Sequence, residues 1–154
     1  MKKIIFLGIV IMLFAVTSGC TFLKVNIGED VQPLTEKVVS GEGRDKVLLL
    51  DISGVIMGVD GEPVLGGRKK PGLIARTREA LDRARQDKRV KAVVLRINSP
   101  GGGVTASDIL YHELRKFRQE TGVKIVAHIM DVGASGAYYA ALAADAITAQ
   151  PTSV

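Results

Sequence analysis

Four apolar runs of strand length, separated by segments with helical periodicity, constrain the fold of this chain more than any other feature. The runs are rich in Val, Ile and Leu and cover residues 46–52, 90–97, 123–130 and 146–149. Parallel strands of one sheet need a crossover of a dozen or more residues between them, and that crossover is usually a helix. The alternation therefore predicts an α/β fold with a largely parallel sheet. A further stretch, 55–59, is predicted to continue the sheet before a Gly- and Pro-rich turn at 60–67.

The segments between the runs have apolar residues three or four positions apart, as in amphipathic helices. The first begins at Pro71 and carries its Arg residues mostly on the opposite face. The second is predicted to open at a capping box, Thr105-Ala106-Ser107-Asp108, and to end before Thr121-Gly122. The third, at 136–144, consists mainly of small residues and is predicted to be a short, tightly packed helix.

The N-terminus has the pattern of a targeting segment. Lys2 and Lys3 precede an apolar run at 4–16, and the small residues 17–19 stand directly before Cys20. This run is shorter than the roughly 20 residues of a membrane span and suits a bacterial lipoprotein signal, in which Cys20 carries the lipid. An uncleaved short anchor remains the alternative, and both place the rest of the chain outside the cytoplasm.

The remaining organisation follows from composition. Residues 1–20 are interpreted as the targeting segment, 21–44 as a polar tether and 45–154 as the folded domain. Cys20 is the one cysteine, so an internal disulfide is excluded. The net charge of +5 is not concentrated in one stripe and aromatic residues make up 5%, which argues against nucleic-acid binding. Attraction to an anionic membrane surface accounts for the same charge.

Two loops follow predicted strand ends, where the chemistry of a parallel sheet is expected. The first, 98–103, contains three consecutive glycines whose backbone N–H groups are accessible, although a tight turn explains them equally. It lacks the further residues of a phosphate-binding loop. The second, 131–136, places Ser135 where a strand turns into a helix. By itself Ser135 fits either a helix N-cap or a nucleophile.

Taken together, the two loops resemble the signal peptide peptidase A (protease IV) family. The resemblance rests on Asn-Ser-Pro-Gly-Gly-Gly at 98–103, Ala-Ser-Gly-Ala-Tyr-Tyr at 134–139 and Ala-Ala-Asp-Ala-Ile at 143–147. It implies the spiral of repeated ββα units that Clp protease and the crotonase group share, incomplete at the C-terminus of this chain. It also implies that Ser135 is the nucleophile and that the N–H groups of Gly102 and Gly136 form the oxyanion hole.

The general base is where the sequence departs from the family. Family members use a lysine some tens of residues after the serine, and neither a lysine nor a histidine follows Ser135 here. His128 precedes Ser135 on the same predicted strand and would have to fold back over the turn. His112 is interpreted as a surface residue, and Lys124 lies at the wrong end of its strand. The chain is therefore expected to be a truncated or inactive form that lacks its base.

These features predict a membrane-associated serine endopeptidase on the extracytoplasmic face of a bacterial cell membrane. The resemblance implies that it degrades cleaved signal peptides or short hydrophobic peptides, needs no cofactor or metal, and forms a homo-oligomer when complete. A non-catalytic lipoprotein scaffold with the same fold is one alternative. A crotonase-like acyl-thioester enzyme is another, but the export signal argues against it.

Overall fold

The computed structural model describes residues 34–58 and 71–154 and contains one parallel sheet. Its strands are β1 (Lys46–Ser53), β2 (Val90–Ser99), β3 (Lys124–Gly133) and β4 (Ala146–Ala149), in the order β1-β2-β3-β4. Between them lie α1 (Leu73–Gln86), α2 (Val104–Thr121) and α3 (Gly136–Ala141). The predicted α/β class and parallel sheet are confirmed. Cys20, the targeting segment and the predicted turn at 60–67 lie outside the described residues.

One face of the sheet is covered by the helices. Alternate side chains of each central strand are buried, as at Val93, Leu95 and Ile97 of β2, because a strand projects successive side chains to opposite faces. Consecutive helices pack against each other on this covered face. The other face is more open and carries an ion pair between Arg96 and Asp51, with Nε and Oδ1 2.6 Å apart. Sequential parallel strands with helices on one face agree with the spiral architecture.

The core lies between the sheet and the inner faces of α1 and α2. Leu81 of α1 and Leu110, Leu114 and Phe117 of α2 are fully buried, in keeping with the helical periodicity of the sequence. The guanidinium of Arg85 lies over the Phe117 ring, 5.6 Å from its centroid, and this contact joins the two helices at their surface.

Helix α2 does not begin as the sequence predicts. Its first residue is Val104 and its N-cap is Gly103, which has no side chain, so the capping box at 105–108 is wrong. The reason is tertiary: the Gly103 N–H donates to the Ile56 carbonyl at 2.9 Å, while the Gly103 carbonyl accepts the Ser107 N–H at 2.9 Å. Loop contacts therefore fix the N-cap two residues before Thr105, the predicted side-chain cap.

Helix α3 is shorter than the predicted 136–144. After Ala141 the chain turns, and the carboxylate of Asp145 accepts the Ile125 N–H at 2.9 Å, which places the start of β4 beside β3. This hydrogen bond lowers the pKa of Asp145 from its usual 3.8, with Lys124 adding to the shift. The turn that ends at Asp145 thus sets the register of β4 against β3, in which Ala146 lies opposite Val126.

Residues 34–45 form no helix or strand, and their first residues contact the domain. The Leu34 N–H donates to a Glu79 carboxylate oxygen at 2.9 Å, and the Arg83 guanidinium donates to the Leu34 carbonyl. Glu36 pairs with Lys46 at the start of β1, with 2.6 Å between Oε1 and Nζ. The last part of the predicted tether is therefore held against α1 and β1.

Candidate active site

The two strand-end loops meet at the carboxyl edge of the sheet through their backbones. Gly101 has φ +93°, and a Cβ built there would lie 2.7 Å from the Gly136 nitrogen and 2.9 Å from the Ala134 carbonyl oxygen. Real Cβ atoms do not approach other atoms so closely, so position 101 requires glycine both for its conformation and for this contact. The Ala134 N–H also donates to the Ser99 carbonyl at 3.2 Å, which joins the loops directly.

Ser135 has an unusual backbone conformation at the end of β3. Its φ of 51° and ψ of −124° make it the one non-glycine residue with positive φ in the part of the chain that the structure describes. Such a conformation is strained by about 1–3 kcal/mol and is typical of functional sites. Ser135 stands at the N-cap of α3, but its side chain makes no capping hydrogen bond. The residue is solvent-exposed, so its hydroxyl is accessible to a ligand.

Gly102 presents a backbone N–H beside Ser135. A parallel bridge pairs it with Ile56: the Ile56 N–H donates to the Gly101 carbonyl and the Gly103 N–H donates to the Ile56 carbonyl, both at 2.9 Å. Since only the neighbours of Gly102 bond to Ile56, the N–H of Gly102 itself points away from that segment. A Cβ at Gly102 would lie 2.1 Å from the Ile56 carbonyl oxygen, so this pairing also requires glycine.

Gly136 supplies a second N–H next to the first. It is the first residue of α3, so no intrahelical carbonyl accepts its N–H. Its ideal Cβ position lies 3.6 Å from the Gly102 nitrogen, which brings the two N–H groups into one neighbourhood adjoining Ser135. Neither N–H donates a hydrogen bond within residues 34–58 and 71–154. Two unused backbone donors beside an exposed hydroxyl can stabilise an oxyanion formed when that hydroxyl attacks a carbonyl.

Two buried serines that sequence reasoning missed support this arrangement. The Ser99 hydroxyl donates to the Gly54 carbonyl at 2.6 Å and accepts the Gly101 N–H at 3.1 Å. The Ser107 hydroxyl donates to the Gly103 carbonyl at 2.9 Å. Ser99 could have been found because it occupies an inward-facing position two residues after buried Ile97, where a polar side chain needs a partner.

The last residues of the chain support the strand end that carries Ser135. The Val154 N–H donates to the Asp131 carbonyl at 2.9 Å, and the Gly133 N–H donates to the Val154 carbonyl at 2.7 Å. The Gln150 N–H donates to the Ile129 carbonyl at 3.0 Å. These bonds extend the pairing of β3 beyond β4, as far as the turn in which Ser135 lies.

A contact between α2 and α3 ties the loop that contains Ser135 to loop 98–103, called the glycine loop. The Tyr139 hydroxyl donates to the Asp108 carboxylate at 2.8 Å, and this bond raises the pKa of Tyr139 above its usual 10.0. The Tyr139 ring also stacks on Tyr111, with 4.8 Å between the ring centroids. The helix that follows Ser135 is thereby fixed to the helix that follows Gly102.

None of the side chains considered above as a general base is hydrogen-bonded to Ser135. His128 lies within β3, where its Nδ1 is 2.9 Å from the Thr148 hydroxyl. Lys124 pairs with Asp145 at the amino end of β3, 3.1 Å from Nζ to Oδ1. His112 is exposed on α2, 3.5 Å from a carboxylate oxygen of Asp108. In the described part of the chain, no hydrogen bond joins the Ser135 hydroxyl to another side chain.

No three His, Cys, Asp or Glu side chains among residues 34–58 and 71–154 are grouped so that they could hold a metal ion. The helices of these two ranges include none with the length and apolar character needed to cross a membrane.

Known proteins share this stretch of sequence. The family model "Peptidase family S49" matches residues 117–154, which include Ser135 and Gly136. Over 111 residues, or 70% of this chain, identity to "Serine protease SPPA, chloroplastic" of Arabidopsis thaliana is 37%. Over 93 residues, or 59% of this chain, identity to "Protease 4" of Salmonella typhi is likewise 37%. The matched part is 15% of each of these two relatives, so the chain spans a small fraction of their length.

A match with a different name covers a shorter region. Over 81 residues, 53% of this chain, identity to "Na(+)/H(+) antiporter NhaA" of Brucella melitensis biotype 1 is 41%. The matched region is 11% of that protein. A likeness to so small a part of a protein carries no statement about what the remaining part does.

Proposed function

We propose that this chain, whose residues 117–154 match the model of peptidase family S49, is a member of that family and supplies the nucleophile and the oxyanion hole of a serine endopeptidase. The observation that carries the proposal is the convergence of the Gly102 and Gly136 N–H groups beside the exposed hydroxyl of Ser135, which is held at positive φ. A turn or a helix cap needs neither the two unused donors nor the strained serine. Acyl transfer uses both.

In the proposed reaction, the Ser135 Oγ attacks the carbonyl carbon of a peptide bond while a base takes the hydroxyl proton. The oxyanion that forms accepts hydrogen bonds from Gly102 and Gly136. Its collapse expels the amine, which takes up the proton, and leaves an acyl-serine that water hydrolyses. We propose that the base is a lysine from a segment that follows Ser135 in family members, as the resemblance implies, and not Lys124 or Lys46, which lie at the opposite edge of the sheet.

We further propose that the protein acts at a membrane, on signal peptides or other short hydrophobic peptides. The apolar run at 4–16 and Cys20 support the anchoring. The name of one relative, "Putative signal peptide peptidase SppA" of Enterococcus faecium, 32% identical over 114 residues, supports the substrate class. The anchoring is tested with Cys20→Ala, which should abolish incorporation of labelled fatty acid and leave the precursor uncleaved. Unchanged lipid labelling would refute the role of Cys20.

The peptidase proposal is tested with a fluorophosphonate probe, which reacts with activated serines. The full chain is examined alone and together with the C-terminal segment of a relative that carries the lysine. Labelling is expected in the combined sample and should be lost in Ser135→Ala. The matched control is Ser53→Ala, which removes an exposed hydroxyl at the end of β1 and should keep the labelling.

The results separate the alternatives. An unlabelled combined sample that has folded would favour the non-catalytic scaffold. Labelling that survives Ser135→Ala would contradict the assignment of the nucleophile. Turnover of a peptide by the 154-residue chain alone would reveal a base that is already present, and His128 would be the first residue to replace.

A further inference from the structure

The edge of the sheet opposite Ser135 carries a cluster of cationic side chains. Arg44 precedes β1, Lys88 and Arg89 precede β2, and Lys91 is the second residue of β2. All four residues are exposed, and with Gly43 and Asp45 they line an open depression of about 630 Å³. We call these four residues the basic edge.

Most of the positive charge at the basic edge has no acidic partner. Asp87 pairs with Arg89 and Lys46, and the hydrogen bonds from these two side chains hold the pKa of Asp87 well below its usual 3.8, so it stays ionised. Arg44, Lys88 and Lys91 form no ion pair with any residue in 34–58 or 71–154. Unpaired, exposed cations of this kind are available to an anionic partner.

The carboxyl edge differs in charge. The described loops there, 98–104, 131–136 and 150–154, contain no Lys or Arg, and Asp131 is their one charged residue. Strand β2 spans ten residues from the basic edge to the glycine loop, which corresponds to about 30 Å. A second cationic sequence, Arg-Lys-Lys at 68–70, precedes α1 and lies outside the described residues. The experiment below therefore compares the protection of its lysines with that of Lys91.

The path of the chain brings its N-terminal part near the basic edge. Leu34 bonds to Glu79, at the middle of α1, and to Arg83 in its second half, and α1 ends at Gln86, two residues before Lys88. Cys20 precedes Leu34 by 14 residues (34 − 20). Even a fully extended chain of that length spans at most about 50 Å. An anchor at Cys20 would therefore keep this side of the domain within reach of lipid headgroups.

We propose that the basic edge binds anionic phospholipid headgroups and so orients the domain with Ser135 about 30 Å from the bilayer surface. This inference rests on the membrane anchoring in the proposed function. Neutralising two of the cations removes two favourable charges near an anionic surface, which should weaken the orienting equilibrium about 30-fold. High salt should have the same effect, since the Debye length falls to about 4 Å at about 0.5 M.

The test uses the full chain in two kinds of vesicle, one of phosphatidylcholine and one with about a third of phosphatidylglycerol. Flotation first measures whether the chain is bound. An amine-acylating reagent, read by peptide mass spectrometry, then measures the accessibility of Lys91, Lys69 and Lys70. We expect Lys91 to react at least about tenfold more slowly in the anionic vesicles, and high salt to remove this protection.

Two double variants make the test specific. Arg44→Gln with Lys88→Gln should lose the protection of Lys91. The matched control, Arg76→Gln with Arg115→Gln, removes two exposed cations that pair with no acid in the described residues and should keep it. Equal loss in both variants would mean that total charge acts and would overturn the assignment to the basic edge.

The remaining outcomes are also decisive. Flotation with both vesicles but no protection of Lys91, or protection of Lys69 and Lys70 instead, overturns this inference and leaves the peptidase proposal intact. No flotation with either vesicle refutes the anchoring on which it rests, whatever the fluorophosphonate result. Equal protection by a short single-stranded oligonucleotide without vesicles would assign the surface to nucleic acid and overturn the lipid proposal.

Discussion

Replacing Gly136 with alanine tests whether the two loops are packed as the structure describes. A Cβ at this position would lie 2.0 Å from the Ser107 Oγ and 2.8 Å from the Ser107 Cβ. Ser107 is 2% exposed and its hydroxyl is bonded to the Gly103 carbonyl, so it cannot move aside freely. Gly136→Ala must therefore displace Ser107, and α2 or α3 with it.

The expected loss has two parts. Forcing a methyl group into a packed site costs about 1–3 kcal/mol. Breaking the Ser107 hydroxyl bond, with the group still buried, costs about another 1–3 kcal/mol. The gain from alanine's higher helix propensity is at most about 1 kcal/mol. Gly136→Ala should therefore lower the free energy of unfolding by about 1–6 kcal/mol, with a central value of about 3.

A double-mutant cycle tests this clash. Its second variant, Ser107→Gly, removes the Ser107 Oγ and Cβ, the two atoms that the new methyl group would strike. Alone it loses one hydrogen bond and places glycine in the first turn of α2, at a cost of about 1–2 kcal/mol. In the double variant the clash is absent, so the two losses should not add. We expect a favourable coupling free energy of about 2 kcal/mol between positions 136 and 107.

The assay is urea unfolding of the parent chain, both single variants and the double variant, followed by circular dichroism. Gly58→Ala is the matched control, because a Cβ there meets its nearest atom, the Ala106 Cβ, at 4.0 Å. It should change the free energy of unfolding by no more than about 0.5 kcal/mol. A coupling below about 0.5 kcal/mol, or a Gly136→Ala chain as stable as the parent, would refute the described packing.

Three further predictions concern the neighbouring positions. Gly102→Ala places a methyl group against the Ile56 backbone carbonyl and should reduce the rate of fluorophosphonate labelling about 10²–10³-fold. In the control, Gly103→Ala, the new Cβ meets its nearest atom at 3.7 Å, so the labelling rate should stay within about twofold of the parent rate. Equal rates for the two variants would contradict the role of Gly102. Ser99→Ala should destabilise the chain by about 1–3 kcal/mol in urea unfolding and Ser53→Ala by less than about 0.5, and similar values for both would contradict the buried network. The folded-state pKa of Asp145 is depressed, so its contribution to stability is present above the unfolded pKa near 3.8 and is lost as the pH falls through the folded value. The difference in free energy of unfolding between the parent and Asp145→Ala should therefore shrink below pH 3.8. A difference that grows on acidification would contradict this sign.

The sequence predicted the elements of the fold better than it predicted their ends. Apolar runs such as 90–97 indicated the strands correctly, because burial on one face of a sheet leaves a local pattern of side chains. The start of α2 was wrong because Gly103 is fixed by Ile56, which lies 47 residues earlier (103 − 56) in the chain. A capping pattern cannot represent a contact over that separation.

The candidate site divides in the same way. Ser135, Gly102 and Gly136 were assigned through the family resemblance, which rests on short motifs that can be read directly in the sequence. The supporting roles of Ser99 and Ser107 were missed. The inward-facing position of Ser99 marks a polar side chain that needs a partner, but the partners of the two serines, the Gly54 and Gly103 carbonyls, are known only from the tertiary structure. The identities of the candidate site residues were thus available from local motifs, whereas the hydrogen bonds that position them depend on the tertiary structure.

The strain at Ser135 links these observations. A non-glycine residue keeps a positive φ only when its surroundings determine the backbone on both sides. On one side the Ala134 N–H bonds to the Ser99 carbonyl and the Gly133 N–H to the Val154 carbonyl. On the other, Tyr139 bonds to Asp108. These bonds connect β2, the C-terminal residues and α2 to the region around Ala134 and Ser135, the two residues between β3 and α3. A simple turn from a strand into a helix does not need so many bonds. The positive φ of Ser135 is explained if this backbone conformation keeps the Ser135 hydroxyl from making the N-cap hydrogen bond. The hydroxyl then faces solvent beside the unused N–H groups of Gly102 and Gly136.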